Sequence, residues 1–170
     1  MSEETESSYL LLSPSTYYDS DMIAPSELVT RGLADPTGTV LPIQVSGVVV
    51  EGDHRGRELG YPTANVEMPT DLEVPEGVFA GVVQRFDGTV HRSAISVGRR
   101  ETFYGSSGVN LLEAFLLDFT DDLYGEEITV TLVAMVRGQE RFDSIPGLIA
   151  QIELDVETVR RTIDTSAVVH

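Results

Sequence analysis

From residue 43 onward the chain is a succession of short strand-like segments separated by turn residues, and only after residue 142 does its apolar spacing become helical. That order constrains the fold more than any other feature. Residues 43–51 alternate, with Val45, Gly47 and Val49 on one face and Ser46, Val48 and Val50 on the other. Residues 77–86 form a second strand, Asp87-Gly88 is a hairpin turn signal, and residues 89–97 return. Residues 110–119 and 127–136 are two more strands, separated by the acidic turn 120–125. Leu148, Ile149, Ile152, Val156, Val159 and Ile163 then recur at helical spacing behind a start signal at Ser144-Ile-Pro146. Five or six short strands followed by one helix predict a mainly β fold, a closed antiparallel barrel with a C-terminal α-helix packed on it. Closure removes the unpaired strand edges that otherwise invite aggregation.

Composition narrows the chemistry. The 170 residues carry 28 acidic and 11 basic side chains, every basic one an arginine, for a net charge of −17. Without lysine there is no Walker A phosphate loop and no Schiff-base chemistry. Without cysteine there are no disulfides, no thiolate catalysis and no Cys-ligated zinc. A sequence pI near 4.3 argues against a nucleic-acid binder, because phosphate neutralisation needs a basic surface.

The chain is long enough for one domain with an appendage. Residues 1–43, rich in Ser, Thr, Pro and acids and lacking sustained periodicity, are expected to be a flexible or loosely docked extension, with a short helix from Ser26 to Thr30. Residues 44–164 are the expected barrel and helix, and 165–170 a tail. The acidic N-terminus does not fit a secretory signal, and no apolar window is long enough to span a membrane. The expected protein is cytoplasmic and monomeric, with small-molecule partners and no membrane or nucleic-acid partner.

The segment 52–65 concentrates unusual residues. Gly52, Gly56 and Gly60 let backbone N–H groups approach an anion without Cβ interference, while Arg55 and Arg57 offer guanidinium forks that match phosphate oxygens. The same residues would equally make a mobile loop of solvated charges. Pro62 stiffens the next stretch, so the Thr63 hydroxyl and Asn65 amide share a face and present hard oxygens of the kind Mg²⁺ takes alongside phosphates and water. A turn capped by Asn65 is the alternative there. Glu113 is an acid inside the apolar run Leu111–Leu117. It either opens into a cleft, where its carboxylate can accept a hydroxyl proton, or faces solvent on a barrel strand. The three histidines lack metal-ligand spacing and are assigned surface roles, and Asp118, Asp121 and Asp122 a solvated turn.

These pieces in this order resemble the riboflavin kinases, which phosphorylate riboflavin to FMN. The glycine-rich loop running into Pro62-Thr-Ala-Asn65, the segment Pro75-Glu-Gly-Val-Phe-Ala80, Glu113 within Leu112–Phe119, Leu123-Tyr-Gly125, Val136-Arg137, Phe142-Asp-Ser144 and residues 148–155 carry the resemblance, over about residues 44–162. It implies a six-stranded antiparallel closed barrel with a C-terminal helix. It further implies phosphoryl transfer from ATP, with Mg²⁺, to the terminal ribityl hydroxyl. Gly52, Arg55, Gly56, Arg57 and Gly60 would cover the phosphates, Thr63 and Asn65 would serve nucleotide and metal, and Glu113 would be the general base. Thr102, Phe103 and Arg137 would contact the flavin. Where family members write Gly-x-x-Pro-Thr-Phe, this chain has Gly98-Arg-Arg-Glu-Thr-Phe103, and residues 101–110 are a candidate moving lid. No His-x-Gly-His precedes the barrel, so adenylylation to FAD is not expected. A catalytically weak barrel that carries or senses flavin is the alternative function.

Overall fold

A computed structural model of the protein describes residues 41–69, 72, 74–100 and 109–163. The extension 1–40, the candidate helix within it, Thr102, Phe103, the core of the candidate lid and the tail lie outside the described residues.

Six antiparallel strands close a barrel in the order β1-β2-β5-β4-β3-β6. They are β1 (Ile43–Val50), β2 (Ala64–Glu67), β3 (Gly77–Gln84), β4 (Val90–Arg100), β5 (Val109–Leu116) and β6 (Glu127–Arg137). A single helical turn, α1 (Arg55–Glu58), lies between β1 and β2, and α2 (Ile145–Thr162) follows the barrel. The fold expected from the strand count is the one observed, with β2 as the short extra strand. No helix among the described residues is long and apolar enough to cross a membrane.

Alternation decides which side chains fill the barrel. Val66, Phe79, Val83, Ile95, Val97, Leu112, Ala114, Ile128, Val130 and Leu132 form one buried cluster inside. Residues between them point outward, and part of that outer face is covered by α2. Ala80, Val82, Leu117 and Val133 pack there against Val159 and Ile163 of the helix end. This explains why β3 is apolar along nearly its whole length, since it is buried on both faces. At Gly81 a side chain would collide with the Thr131 carbonyl, where the β3–β6 register shifts. Burying Val159 and Ile163 contributes roughly 1.5–3 kcal/mol each.

Helix α2 starts where the sequence signals it. The Ser144 hydroxyl accepts from the Gly147 N–H at 3.1 Å, and a proline occupies the first turn. Its far end is pinned by Arg160, which donates to both Asp118 oxygens at 2.8 and 2.7 Å. Asp118 is therefore an anchor for the helix and not only a solvated turn acid. That pairing holds its carboxyl below the usual range. His91 also departs from its surface assignment. It is half-buried, edge-on to Phe119 at 4.9 Å, with a buried Nε2 that finds no partner, and burial pushes its pKa down. Its position at the end of an inward-facing series with Ser93, Ile95 and Val97 accounts for this.

Candidate active site

The apolar stripe of α2 is split. Its C-terminal residues pack on the barrel, whereas Leu148 and Ile152 line a cavity of about 530 Å³ between helix, barrel wall and the α1 turn. That volume lies within the range of small-molecule sites.

Strand register builds the cavity wall. Asn65 of β2 pairs with Glu113 of β5, Glu113 with Ser96 of β4, Ser96 with Val78 of β3, and Val78 with Arg137 of β6. These five outward-facing residues form one row across five strands, and all line the cavity. At about 4.8 Å per strand the row runs about 19 Å along the sheet. An amide and a carboxylate stand at one end, a hydroxyl in the middle and a guanidinium at the other.

Asn65 is 5% exposed, and its Oδ1 is buried without a hydrogen-bond partner. Its Nδ2 lies 3.4 Å from the Thr63 carbonyl, which leaves the oxygen as the unsatisfied group. A buried acceptor of this kind costs stability unless something occupies it. Gly52 holds it in place from behind. A Cβ at residue 52 would lie 2.6 Å from the Asn65 Cγ. Thr63, two residues earlier in the chain, lines the same cavity and adds a second hard oxygen to its wall. Among the described residues no group of three or more His, Asp or Glu side chains could hold a metal ion, so protein oxygens alone would leave a cation incompletely ligated. Oxygens from a phosphate and water would complete such a set, and the residues present fit Mg²⁺ held in that way.

The glycine-rich segment adopts a different local structure from an open loop. Its chain folds into the α1 turn, in which the N–H groups of Glu58, Leu59 and Gly60 bond to carbonyls of residues 54–57, and Tyr61 N–H bonds to the Gly56 carbonyl at 2.7 Å. Those donors are therefore spent within the turn. Gly60 takes φ +87 to leave it, and Gly56 allows the Tyr61 carbonyl to pack against its Cα. Arg55, Gly56 and Arg57 line the cavity, whereas Gly52 and Gly60 shape it from outside. Arg57 lies over the Tyr124 ring, 5.8 Å from its centroid, and the Tyr124 hydroxyl is 3.3 Å from His54 Nδ1. His54 is thus exposed as expected, but it helps form the cavity rim.

At the opposite end, Arg137 is clamped. Its Nε lies 3.0 and 3.1 Å from the Asp155 oxygens and its Nη2 2.8 Å from Oδ2, while Nη1 donates to the Gly138 carbonyl at 3.0 Å. Gln151 also donates to Asp155, at 3.0 Å. The guanidinium carbon lies 5.7 Å from the Phe142 ring centroid. Asp155, Phe142, Gln139, Ser96 and Tyr124 were not assigned roles from sequence. Only the motif context of Tyr124, Phe142 and Asp155 marked them, and nothing local marked Ser96 or Gln139.

A closed β-barrel bears an outer-face cavity lined by two arginines, an amide whose oxygen has no partner, a threonine and a carboxylate in register with the amide. The chain belongs to the riboflavin kinase family, whose family model matches residues 39–163. It is 34% identical over 147 residues to the bifunctional riboflavin kinase/FMN adenylyltransferase of Listeria monocytogenes, covering 83% of this chain and 46% of that one. It is 36% identical over 120 residues to the RNA-binding riboflavin kinase RibR of Bacillus subtilis, covering 71% of this chain and 51% of that one. The chain thus spans about half the length of these curated relatives. A crystal structure described as a macrolide-efflux protein from Streptococcus pneumoniae superposes with a TM-score of 0.65 at 31% identity, covering 81% of this chain and 46% of that one. Riboflavin kinase from Trypanosoma brucei shares the fold, with a TM-score of 0.54 at 24% identity, covering 73% of this chain and 81% of that one.

Proposed function

We propose that the chain is a riboflavin kinase that transfers the γ-phosphoryl group of ATP to the 5′-hydroxyl of riboflavin. The observation that carries this reading is the pairing of Asn65, with its orphaned Oδ1, directly beside Glu113 in a cavity rimmed by Arg55 and Arg57. In the reaction a bond forms between the ribityl oxygen and phosphorus, the bond from phosphorus to the ADP oxygen breaks, and the hydroxyl proton passes to Glu113. Arg55 and Arg57 neutralise phosphate charge on a chain that is otherwise strongly acidic. Gly56 lets the turn that carries them close against Tyr61, while Gly52 and Gly60 support the turn and Asn65. Thr63 and Asn65 would hold Mg²⁺, which supplies electrostatic stabilisation of the transferring group when bound. Arg137, held by Asp155, would contact the flavin, as would Thr102 and Phe103, which lie outside the described residues. Residues 44–164 are the catalytic unit, with 1–43 an appended extension and 165–170 a tail. The same reading makes the protein a cytoplasmic monomer acting on small molecules.

The test is Glu113→Gln, which keeps size and reach but cannot take the proton. The turnover should fall by about 10²-fold, the lower end for general-base catalysis, because a loose phosphoryl-transfer transition state needs little early deprotonation. Riboflavin affinity, read by quenching of flavin fluorescence, should be unchanged. Wild-type turnover in this variant would remove the base from the mechanism. Flavin binding by the wild type without ADP or FMN formation would favour a carrier over a kinase.

A further inference from the structure

On the kinase reading above, the substrate offers a chain of hydroxyl groups, only the last of which is to react. We infer that Ser96, aimed by Gln139, selects that hydroxyl by donating a hydrogen bond to its neighbour. Ser96 and Glu113 are directly opposed in adjacent strands and both line the cavity. Opposed side chains of this kind start about 5 Å apart at Cβ. Their heads can therefore address two adjacent hydroxyls of one polyol.

The polarity of Ser96 is set by its surroundings. Gln139 Nε2 lies 2.9 Å from the Val97 carbonyl and 3.1 Å from Ser96 Oγ. The carbonyl only accepts, so the NH₂ end of the Gln139 amide must face it, and that same nitrogen then donates to Ser96. Ser96 uses an oxygen lone pair in this bond and keeps its hydrogen to donate. The pair of heads is complementary to a vicinal diol. Glu113 accepts from the reacting hydroxyl, and Ser96 donates to the oxygen beside it. Val78, opposite Ser96 on its other side, and Ala94, two residues along the strand, are apolar, so the polar side chains beside Ser96 are Gln139, which donates to it, and Glu113, the other half of the pair.

The experiment compares wild type, Ser96→Ala and Ser96→Thr on riboflavin and on 4′-deoxyriboflavin, with the phosphorylated products separated by chromatography. Wild type should favour riboflavin by about tenfold in kcat/KM, the order expected for one neutral hydrogen bond. Ser96→Ala should use the two substrates within about twofold of each other, because the missing group is now absent from one side in either case. Ser96→Thr, which restores a hydroxyl, should restore the preference. An undiminished preference in Ser96→Ala overturns the assignment even if its overall activity falls, since a structural defect would slow both substrates alike. Equal use of both substrates by wild type also overturns it. If wild type makes no FMN from riboflavin, the kinase reading itself fails and this assignment fails with it.

Discussion

Removing the Asp155 carboxylate should separate what Arg137 does for the fold from what it does for the ligand. Asp155 is 4% exposed and takes three close contacts from the guanidinium, which is itself largely covered. In Asp155→Ala the partners left to the cation among the described residues are the Gly138 carbonyl and the Phe142 ring face. An uncompensated charge of this kind costs about 3–5 kcal/mol. For a domain of this size that corresponds to a melting point lowered by roughly 10–20 °C. Replacing both partners, as Arg137→Met with Asp155→Leu, leaves no buried charge and should return stability to within about 1–2 kcal/mol of wild type. Activity should not return with it, because the group proposed to contact the flavin is gone. Thermal denaturation gives the first quantity, and flavin fluorescence quenching with FMN formation gives the second. A double variant that regains riboflavin affinity and turnover together with its stability would show that Arg137 is a structural residue only. An Asp155→Ala protein that melts within about 2 °C of wild type would refute the energetic reasoning itself.

Two further predictions concern residues that support the site and the barrel. Gly52→Ala places a methyl against the Asn65 side chain, so it should cost about 1–3 kcal/mol and raise the Mg²⁺ concentration needed for FMN formation, with riboflavin binding unchanged. An unaltered Mg²⁺ requirement would detach Asn65 from the metal. His91 has its pKa pushed down, first by burial and then by the nearby Arg85. In the unfolded chain it takes up a proton near its ordinary value of about 6.5, whereas the folded protein resists protonation, so stability is full above that pH and falls as the pH drops below it. His91→Leu should flatten the decline in melting temperature between pH 7.5 and 5.5, and an equal decline in both proteins would refute the assignment. The carboxyls held low by arginine, Asp118 and Glu126, give up their contributions only in the more acidic range below their ordinary values, so they do not confuse that window.

Local pattern and long-range register contributed unequally to what the chain discloses. Strands β1 and β3 to β6 were legible because alternation and turn residues are local signals, and α2 because its cap, proline and apolar spacing agree. The strand β2 has four residues, too few for any period to show, and it became visible only as a stiff extended segment after Pro62. The α1 turn was hidden for a related reason. Three glycines suggest an open loop, but the chain there forms one helical turn, in which the Gly60 N–H is taken up by the Arg57 carbonyl. Glu113 stood out because a charge in an apolar strand needs an explanation. Ser96 and Gln139 did not, because a serine in a strand and a glutamine in a connecting segment are unremarkable until the fold brings these two positions, 43 apart in sequence, into contact. His91 and Asp155 were missed in the same way, since their burial comes from Phe119 and from Arg137, not from their neighbours in sequence. A one-residue slip of β5 against β4 would send Glu113 into the barrel and Leu112 out of it. The chemistry of the row from Asn65 to Arg137 therefore rests on the apolar residues that alternate with it. Substitutions at Leu112 or Ile95 that weaken the register should disturb the site as surely as substitutions in the site itself.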